Sequence, residues 1–187
     1  KDEDGPSFQL YTWAGNEHLV VGQSDYSSAR TIYFPEYVGE FVEPGASTRG
    51  IPETSIFLAN PDSTDLDTLL TGLHRTSVEA SADGRYIALD HADPALKHRQ
   101  IIVHDLAEQS EIVVFEDSTA GWLYNYDLSF QPGGHTILFQ SEQSGWNHIY
   151  TINPDGSDLK QHTEGNYEVP WAEWVDNKRI VYAGNEE

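Results

Sequence analysis

Three glutamates and an arginine lie close together in the segment FPEYVGEFVEPGASTRG, and they are the best candidates in the chain for binding a charged ligand. They are Glu36, Glu40, Glu43 and Arg49. Charged residues in such a segment could form a binding site at the rim of the molecule. A solvated charged loop has the same composition and is the more common state of such a segment. We therefore treat these residues as candidate substrate-binding residues, with the solvated loop as the alternative.

The same segment contains the nearest match to a nucleophile elbow, the Gly-x-Ser-x-Gly motif that exposes a catalytic serine. The match runs from Gly45 to Arg49 with Ser47 at its centre, and it lacks the second glycine and follows no apolar strand. The motif has catalytic meaning only between a strand and a helix. We therefore expect that Ser47 is not a nucleophile, and the sequence predicts no catalytic residue in this chain.

The eight histidines suggest a metal site, but their spacing does not support one. His91 and His98 flank ADPALK, whereas zinc sites use compact clusters of three or four ligands. The aspartate-rich turns at 62–67 and 155–158 lack the glycine and the terminal glutamate of calcium loops. His148 lies between two aromatic residues in strand phase and is predicted to be a packed or hydrogen-bonded residue. We expect no metal and no cofactor.

Composition limits the partners of the chain. The 187 residues are 38% hydrophobic, which is enough for one domain with a real core. Ten Lys and Arg against 31 Asp and Glu leave a net charge of -21, which argues against binding to nucleic acid or anionic lipid. No apolar run approaches the roughly 18 residues of a membrane span. Without cysteine there is no disulfide framework, and the acidic composition is compatible with a periplasmic or secreted setting without deciding the compartment.

A repeat along the chain indicates which elements position these residues. Ile56–Leu66 and Ile149–Leu159 share six of eleven residues at an interval of 93 positions. The segment QIIVHDLAEQSEIVVF, near the midpoint, supplies a strand, a turn and a second strand. The unit therefore repeats three times, and its period of about 46 residues is typical of a four-stranded propeller blade.

Turn pairs mark the same period. Asp83-Gly84, Gly133-Gly134 and Asp176-Asn177 each precede a short apolar run, and these residue types tolerate the positive φ angles of tight hairpins. The apolar runs, such as Ile87–Leu89 and Ile112–Phe115, are continuous and do not alternate with polar residues. Continuous runs indicate strands buried on both faces, as in blades stacked around an axis.

The sequence therefore predicts an all-β chain that forms one segment of a β-propeller, with about three to four four-stranded antiparallel blades. The blades are expected near residues 7–72 with an insertion at 35–53, near 76–118 and 121–165, and from about 170 onward. Five tryptophans are predicted to pack between blades: Trp13, Trp122, Trp146, Trp171 and Trp174. A partial ring leaves apolar faces open, so we expect a homo-oligomer or coverage by the remaining blades. The absence of Met predicts a processed or excised chain, or one from which residues have been lost.

The segment from Leu128 to Val169 carries the most specific pattern. It includes Ser141-Glu142, Gly145-Trp146, His148-Ile149-Tyr150 and Asp155-Gly156. This pattern resembles the N-terminal propeller of dipeptidyl peptidase IV-type serine peptidases in the prolyl oligopeptidase clan. The similarity covers most of residues 31 to 184, whereas the Asp-Gly hairpins alone would also fit TolB-like propellers.

The resemblance implies a role as well as a fold. The chain would be the noncatalytic propeller of a serine exopeptidase, gating and positioning peptide substrate through its rim or central channel for a hydrolase domain. In that family a glutamate pair holds the amino terminus of the substrate, but the tract that carries it has no counterpart here. Glu186-Glu187 matches that tract in letters only, so the role is not carried over. The alternative is a stand-alone TolB-like propeller that binds a protein or peptide partner.

Overall fold

The structure is a computed structural model that describes residues 7–29, 31–38, 41–63, 65–74, 76–123 and 127–185; from 31 to 49 it describes the backbone alone. Every regular element in these ranges is a β-strand. In chain order the strands are β1 (Ser7–Ala14), β2 (His18–Asp25), β3 (Thr31–Val38), β4 (Phe41–Arg49), β5 (Glu53–Ala59), β6 (Leu66–Leu73), β7 (Thr76–Ala80), β8 (Tyr86–Ala92), β9 (His98–Asp105), β10 (Ser110–Ser118), β11 (Ser129–Phe130), β12 (Ile137–Ser141), β13 (His148–Ile152), β14 (Lys160–Gln161), β15 (Trp171–Trp174) and β16 (Ile180–Ala183).

The strands form three four-stranded sheets and two two-stranded ones. The first sheet has the order β1-β2-β5-β6, the second β7-β8-β9-β10, the third β11-β12-β13-β14 and the fourth β15-β16. The β3-β4 hairpin is inserted between β2 and β5, and all pairs are antiparallel. The first strands β1, β7 and β11 of successive sheets contact one another, as the innermost strands of neighbouring blades do. The prediction of an all-β partial propeller is confirmed.

The sheets are held together by apolar side chains that meet between them. Between the second and third sheets, Phe139 packs against Phe115 with ring centroids 4.7 Å apart, and within the third sheet it stacks on Tyr150 at 5.7 Å. The cluster also contains Ala88, Ile101, Val103, Leu128, Phe130, Ile137 and Ile152. Another cluster joins the first and second sheets: Ala14, Val20, Ile56, Leu73, Val78, Ala80, Ile87 and Leu89. The continuous apolar runs of β12 and β13 are buried at every position, as expected for strands covered on both faces.

Consecutive antiparallel strands alternate in direction, so the connections divide between two faces of the propeller. One face, which we call the turn face, carries the turns β1-β2, β7-β8, β11-β12 and β15-β16 and the turns that join the two outer strands of each four-stranded sheet. The opposite face, the connection face, carries the links between sheets and the longer loops after β2, β8 and β12. The β3-β4 hairpin therefore projects from the connection face.

The turn face shows why the Asp-Gly pairs recur. Asp83 accepts a hydrogen bond from the Ser81 hydroxyl at 2.7 Å, and Gly84 has a φ of 74°. A Cβ at Gly84 would lie 2.6 Å from the backbone nitrogen of Gly15, in the turn of the first sheet. Glycine thus permits both the left-handed backbone and the close approach of two neighbouring sheets. On the other side of the second sheet, Oδ2 of Asp83 lies 2.8 Å from Nε2 of His135, in the third sheet's first turn.

Two sequence-based expectations about burial are wrong. Trp13, Trp122, Trp146 and Trp171 are 40% to 74% exposed, and only Trp174 packs against a core cluster. Trp122 and Trp146 lie on loops of the connection face, outside the layer between sheets. Ile112 and Val113 are 44% and 40% exposed because β10 is the outermost strand of its sheet. An apolar residue on a strand is therefore exposed where no neighbouring sheet covers it, as Ile112 and Val113 show.

Candidate functional site

The hairpin β3-β4 carries three of the four predicted substrate-binding residues. Glu36 on β3 pairs in register with Glu43 on β4, whereas Arg49 pairs with Thr31 at the other end of the hairpin. The backbone therefore brings the two glutamate positions opposite each other and separates them from Arg49. Glu40 lies outside the described residues. The binding role of all four residues stays a prediction.

Ser47 is located within β4, where it pairs with Tyr33 on β3. A nucleophile elbow requires a sharp turn from a strand into a helix, and a residue within a two-stranded ladder does not provide one. The surroundings of Ser47 therefore differ from those of a serine nucleophile.

A cleft of about 490 Å³ opens at the connection-face ends of β9 and β10. Its lining is polar and consists of His98, Arg99, Gln100, Glu116, Asp117 and Ser118. Gln100 donates a hydrogen bond to Glu116 at 2.6 Å, and Asp117 accepts one from Ser141 of the third sheet at 2.8 Å. Arg99 and Asp117 bind residues outside the lining and Gln100 binds Glu116, so several of these polar side chains are already hydrogen-bonded.

A buried ion pair forms one wall of this cleft. Arg99 on β9 and Asp90 on β8 are 2% and 0% exposed, and Nε of Arg99 donates to Oδ1 of Asp90 at 2.9 Å. The same guanidinium donates to the backbone carbonyl of Gln140 in the third sheet. Burial raises the pKa of Asp90, and the guanidinium of Arg99 opposes that rise. The pair is a structural link between two sheets, and sequence reasoning missed it. The signal available in the sequence was a charged residue beside each apolar run: Asp90 follows Ile87–Leu89, and Arg99 lies shortly before Ile101–Val103.

Carboxylates also lie along the innermost strands. Burial raises the pKa of Glu79 on β7, and the neighbouring Asp127 adds to the rise. Asp127 and Glu173 line a cleft of about 340 Å³ between the third and fourth sheets, together with Trp171. Sequence reasoning did not single out these residues, although Glu79 and Glu173 each lie shortly before a turn pair, at Asp83-Gly84 and Asp176-Asn177.

The structure places His148 as a structural residue. His148 is 1% exposed, and its ring nitrogens lie 3.1 Å from the Thr163 hydroxyl and 3.1 Å from the Gly165 carbonyl oxygen. The prediction of a packed, hydrogen-bonded His148 is confirmed. Across the described ranges no group of three or more His, Asp or Glu side chains could hold a metal ion. In the same ranges no helix is long and apolar enough to cross a membrane.

Residues 63–187 match the family model of the dipeptidyl peptidase IV (DPP IV) N-terminal region. The chain belongs to this family. No curated protein sequence matches the chain. The resemblance of Leu128–Val169 to the DPP IV-type propeller is thereby confirmed.

Solved structures agree with the fold. Porphyromonas gingivalis dipeptidyl peptidase 4 is similar with a TM-score of 0.72 and 17% identity, over 95% of this chain and 27% of that chain. The β-propeller domain of the Trilobed protease from Pyrococcus furiosus is similar with a TM-score of 0.55 and 12% identity, over 96% of this chain and 52% of that chain. A putative TolB from Agrobacterium tumefaciens is similar with a TM-score of 0.52 and 13% identity, over 97% of this chain and 71% of that chain. The chain thus spans about a quarter of the length of the P. gingivalis protein.

Proposed function

We propose that this chain is the noncatalytic propeller portion of a DPP IV-like serine exopeptidase. In this role it gates and positions peptide substrate for a hydrolase domain outside this sequence. The observation that carries the proposal is the family match over residues 63–187, and the TM-score of 0.72 with the P. gingivalis dipeptidyl peptidase 4 supports it.

The two faces of the propeller differ in a way that fits this role. Tight turns occupy the turn face, whereas the connection face carries the β3-β4 hairpin and the polar cleft at the ends of β9 and β10. Longer loops on one side of a rigid scaffold are the usual location of binding residues. We therefore propose that the substrate approaches the connection face, with Glu36, Glu40, Glu43 and Arg49 as the residues that contact it. The net charge of -21 favours a substrate with a free ammonium group.

The complete gene product tests the proposal when it is assayed with Xaa-Pro chromogenic substrates. We expect cleavage that a serine-directed inhibitor abolishes. The double variant Glu36→Gln and Glu43→Gln should raise KM with little change in kcat, because it removes charge at the hairpin and leaves the hydrolase domain intact. Glu17→Gln, on an exposed turn of the turn face, is the matched control and should leave KM unchanged.

Absence of serine-dependent cleavage would remove the exopeptidase proposal. An unchanged KM in the double variant would retain the exopeptidase and remove the hairpin from the substrate site.

The second candidate is a stand-alone TolB-like propeller that binds a protein or peptide partner. The similarity to the putative TolB of A. tumefaciens, with a TM-score of 0.52 over 97% of this chain, supports it. The open reading frame separates the two candidates. A Gly-x-Ser-x-Gly elbow followed by Asp and His supports the peptidase, and a frame without them supports the TolB-like protein.

A further inference from the structure

The outer side of the first sheet, which faces away from the second sheet, is apolar and exposed in the described part of the chain. Leu10 and Trp13 on β1 are 55% and 51% exposed. They pair in register with Val21 and Leu19 on β2, and directly paired residues lie on the same side of a sheet. Val20, between these two, points the other way and is 0% exposed in the cluster shared with the second sheet. We call the four residues of the outer side the leading surface.

The other sheets show what such a surface packs against. In each of them, an apolar pair near the turn between the first two strands packs against the preceding sheet. The pairs are Ala80 with Ile87, Phe130 with Ile137, and Trp174 with Ile180. Trp13 and Leu19 form the matching pair of the first sheet, next to its own turn. The leading surface is therefore one half of a junction between sheets.

The other half of such a junction is exposed on the fourth sheet. The residue after each pair, on the second strand, points to the next sheet: Val20, Ala88 and Leu138 are 0%, 0% and 2% exposed. Val181 follows Ile180 in the same way and is 42% exposed. We call the side of the fourth sheet that carries Val181 the trailing surface. Two strands are enough for such a contact, because the two-stranded fourth sheet already packs against the third.

The charges near the two surfaces are compatible with a contact between them. Glu173 pairs with Val181 and adds a carboxylate to the trailing surface. Glu79 holds the matching position opposite Ala88, where the second sheet meets the third, and it is partly buried there. A carboxylate at this position is therefore tolerated in a junction. Two copies that each carry a net charge of -21 repel one another, so added salt should strengthen their association.

We propose that the leading surface of one copy of this chain packs against the trailing surface of a second copy, head to tail. The contact repeats the junctions that join consecutive sheets within the chain. Its two surfaces differ, so each copy in a pair keeps one surface free for a further copy until a ring closes. The inference does not rest on the exopeptidase proposal, which the cleavage assay tests separately.

Sedimentation velocity of two complementary variants tests the head-to-tail arrangement. Trp13→Arg damages the leading surface and Val181→Arg the trailing surface. Each variant alone should associate about tenfold more weakly than the parent chain, because every contact needs both surfaces. An equimolar mixture retains one intact pair of surfaces, so it should form a 1:1 dimer with the affinity of the parent contact and no larger species. Trp122→Arg, on an exposed loop of the connection face, is the matched control and should associate like the parent chain.

Both substituted side chains are at least two-fifths exposed, so the variants should unfold at the same urea concentration as the parent chain. A variant that unfolds earlier is replaced by Trp13→Ser or Val181→Ser, which remove apolar surface without adding charge. Association of Trp13→Arg at the strength of the parent chain would overturn the proposal and leave the pairing of two trailing surfaces as the contact. A mixture that associates no better than its two components would also overturn it, as would a parent chain that stays monomeric at every concentration and salt level.

Discussion

The junction between the second and third sheets differs from the outer side of the fourth sheet, although both are built from apolar strands. At the junction, Ile101 and Phe139 are 0% and 1% exposed. On the fourth sheet, Val181 remains 42% exposed, because no further sheet covers its outer side in the described part of the chain. The same kind of strand is therefore core in one place and surface in the other. Whether the side chains of a strand are buried in this fold depends on whether a second sheet packs against that strand's sheet.

Polar contacts are more evenly shared between the junctions. Gln140 of the third sheet accepts a hydrogen bond from Arg99 of the second and donates one to the carbonyl of Val169, next to the fourth. Asn147 donates to the same Val169 carbonyl at 2.6 Å. The link to the second sheet is charged and buried, whereas these two hydrogen bonds to Val169 join neutral groups. The difference predicts where a substitution is most costly.

The largest expected effect is at Arg99. Arg99→Met leaves the buried carboxylate of Asp90 without its cation and should destabilise the chain by about 3 to 5 kcal/mol, measured by urea unfolding. The double variant with Asp90→Leu removes the stranded charge and should recover most of that loss. A single variant within about 1 kcal/mol of the parent protein would show that the ion pair does not secure this junction.

Glycines of equal backbone conformation test how much a neighbouring sheet adds. Gly84 and Gly133 have φ values of 74° and 71°, but a Cβ at Gly84 would approach Gly15 and one at Gly133 would meet nothing within 4 Å. Gly133→Ala should cost about 1 kcal/mol for the left-handed backbone alone, and Gly84→Ala about 3 kcal/mol because the clash is added. Equal losses in unfolding free energy would contradict the close contact between the first two sheets.

The features that sequence reasoning identified correctly are local or repeated. The turn at Asp83-Gly84 needs a residue that tolerates a positive φ angle, and the glycine that meets this need can be recognised in the sequence. Its recurrence near Gly133 and Asp176 supported the period that the 93-residue repeat had given, and that period predicted the fold. His148 was interpreted correctly because its strand phase between aromatic residues is also local.

The features that sequence reasoning missed depend on which sheet lies opposite. Arg99 meets Asp90 through the pairing of β8 with β9 and meets Gln140 only across the junction. Trp122 carries as much apolar surface as Trp174, but it lies on a loop and is 74% exposed. The register of Glu36 with Glu43 depends on the turn of a hairpin in an insertion outside the repeat. None of these relations follows from spacing along the chain.

The open face of the fourth sheet should drive self-association of the isolated chain. Light scattering over a concentration series should show oligomers, since apolar patches of this kind mark interaction surfaces. Val181→Arg places a charge on that face and should weaken association about tenfold, or about 1.4 kcal/mol. Trp122→Arg, on an exposed loop of the connection face, is the control and should leave association unchanged. A monodisperse monomer at all concentrations would refute the expectation.

The smallest expected effect is a pH dependence at the turn-face contact between the second and third sheets. The Ser81 hydroxyl and then His135 lower the pKa of Asp83 from 3.8 to about 2. A carboxyl group with a lowered pKa stabilises the folded state above its unfolded pKa, and the stabilisation is lost as the pH falls through the folded value. Because Asp83 is half exposed, the loss from about pH 5 to about pH 2 should be only about 0.5 kcal/mol. Urea unfolding of Asp83→Asn should show a correspondingly smaller acid dependence than that of Asp62→Asn. An identical dependence in the two variants would mean that the Asp83 contact does not contribute to the junction.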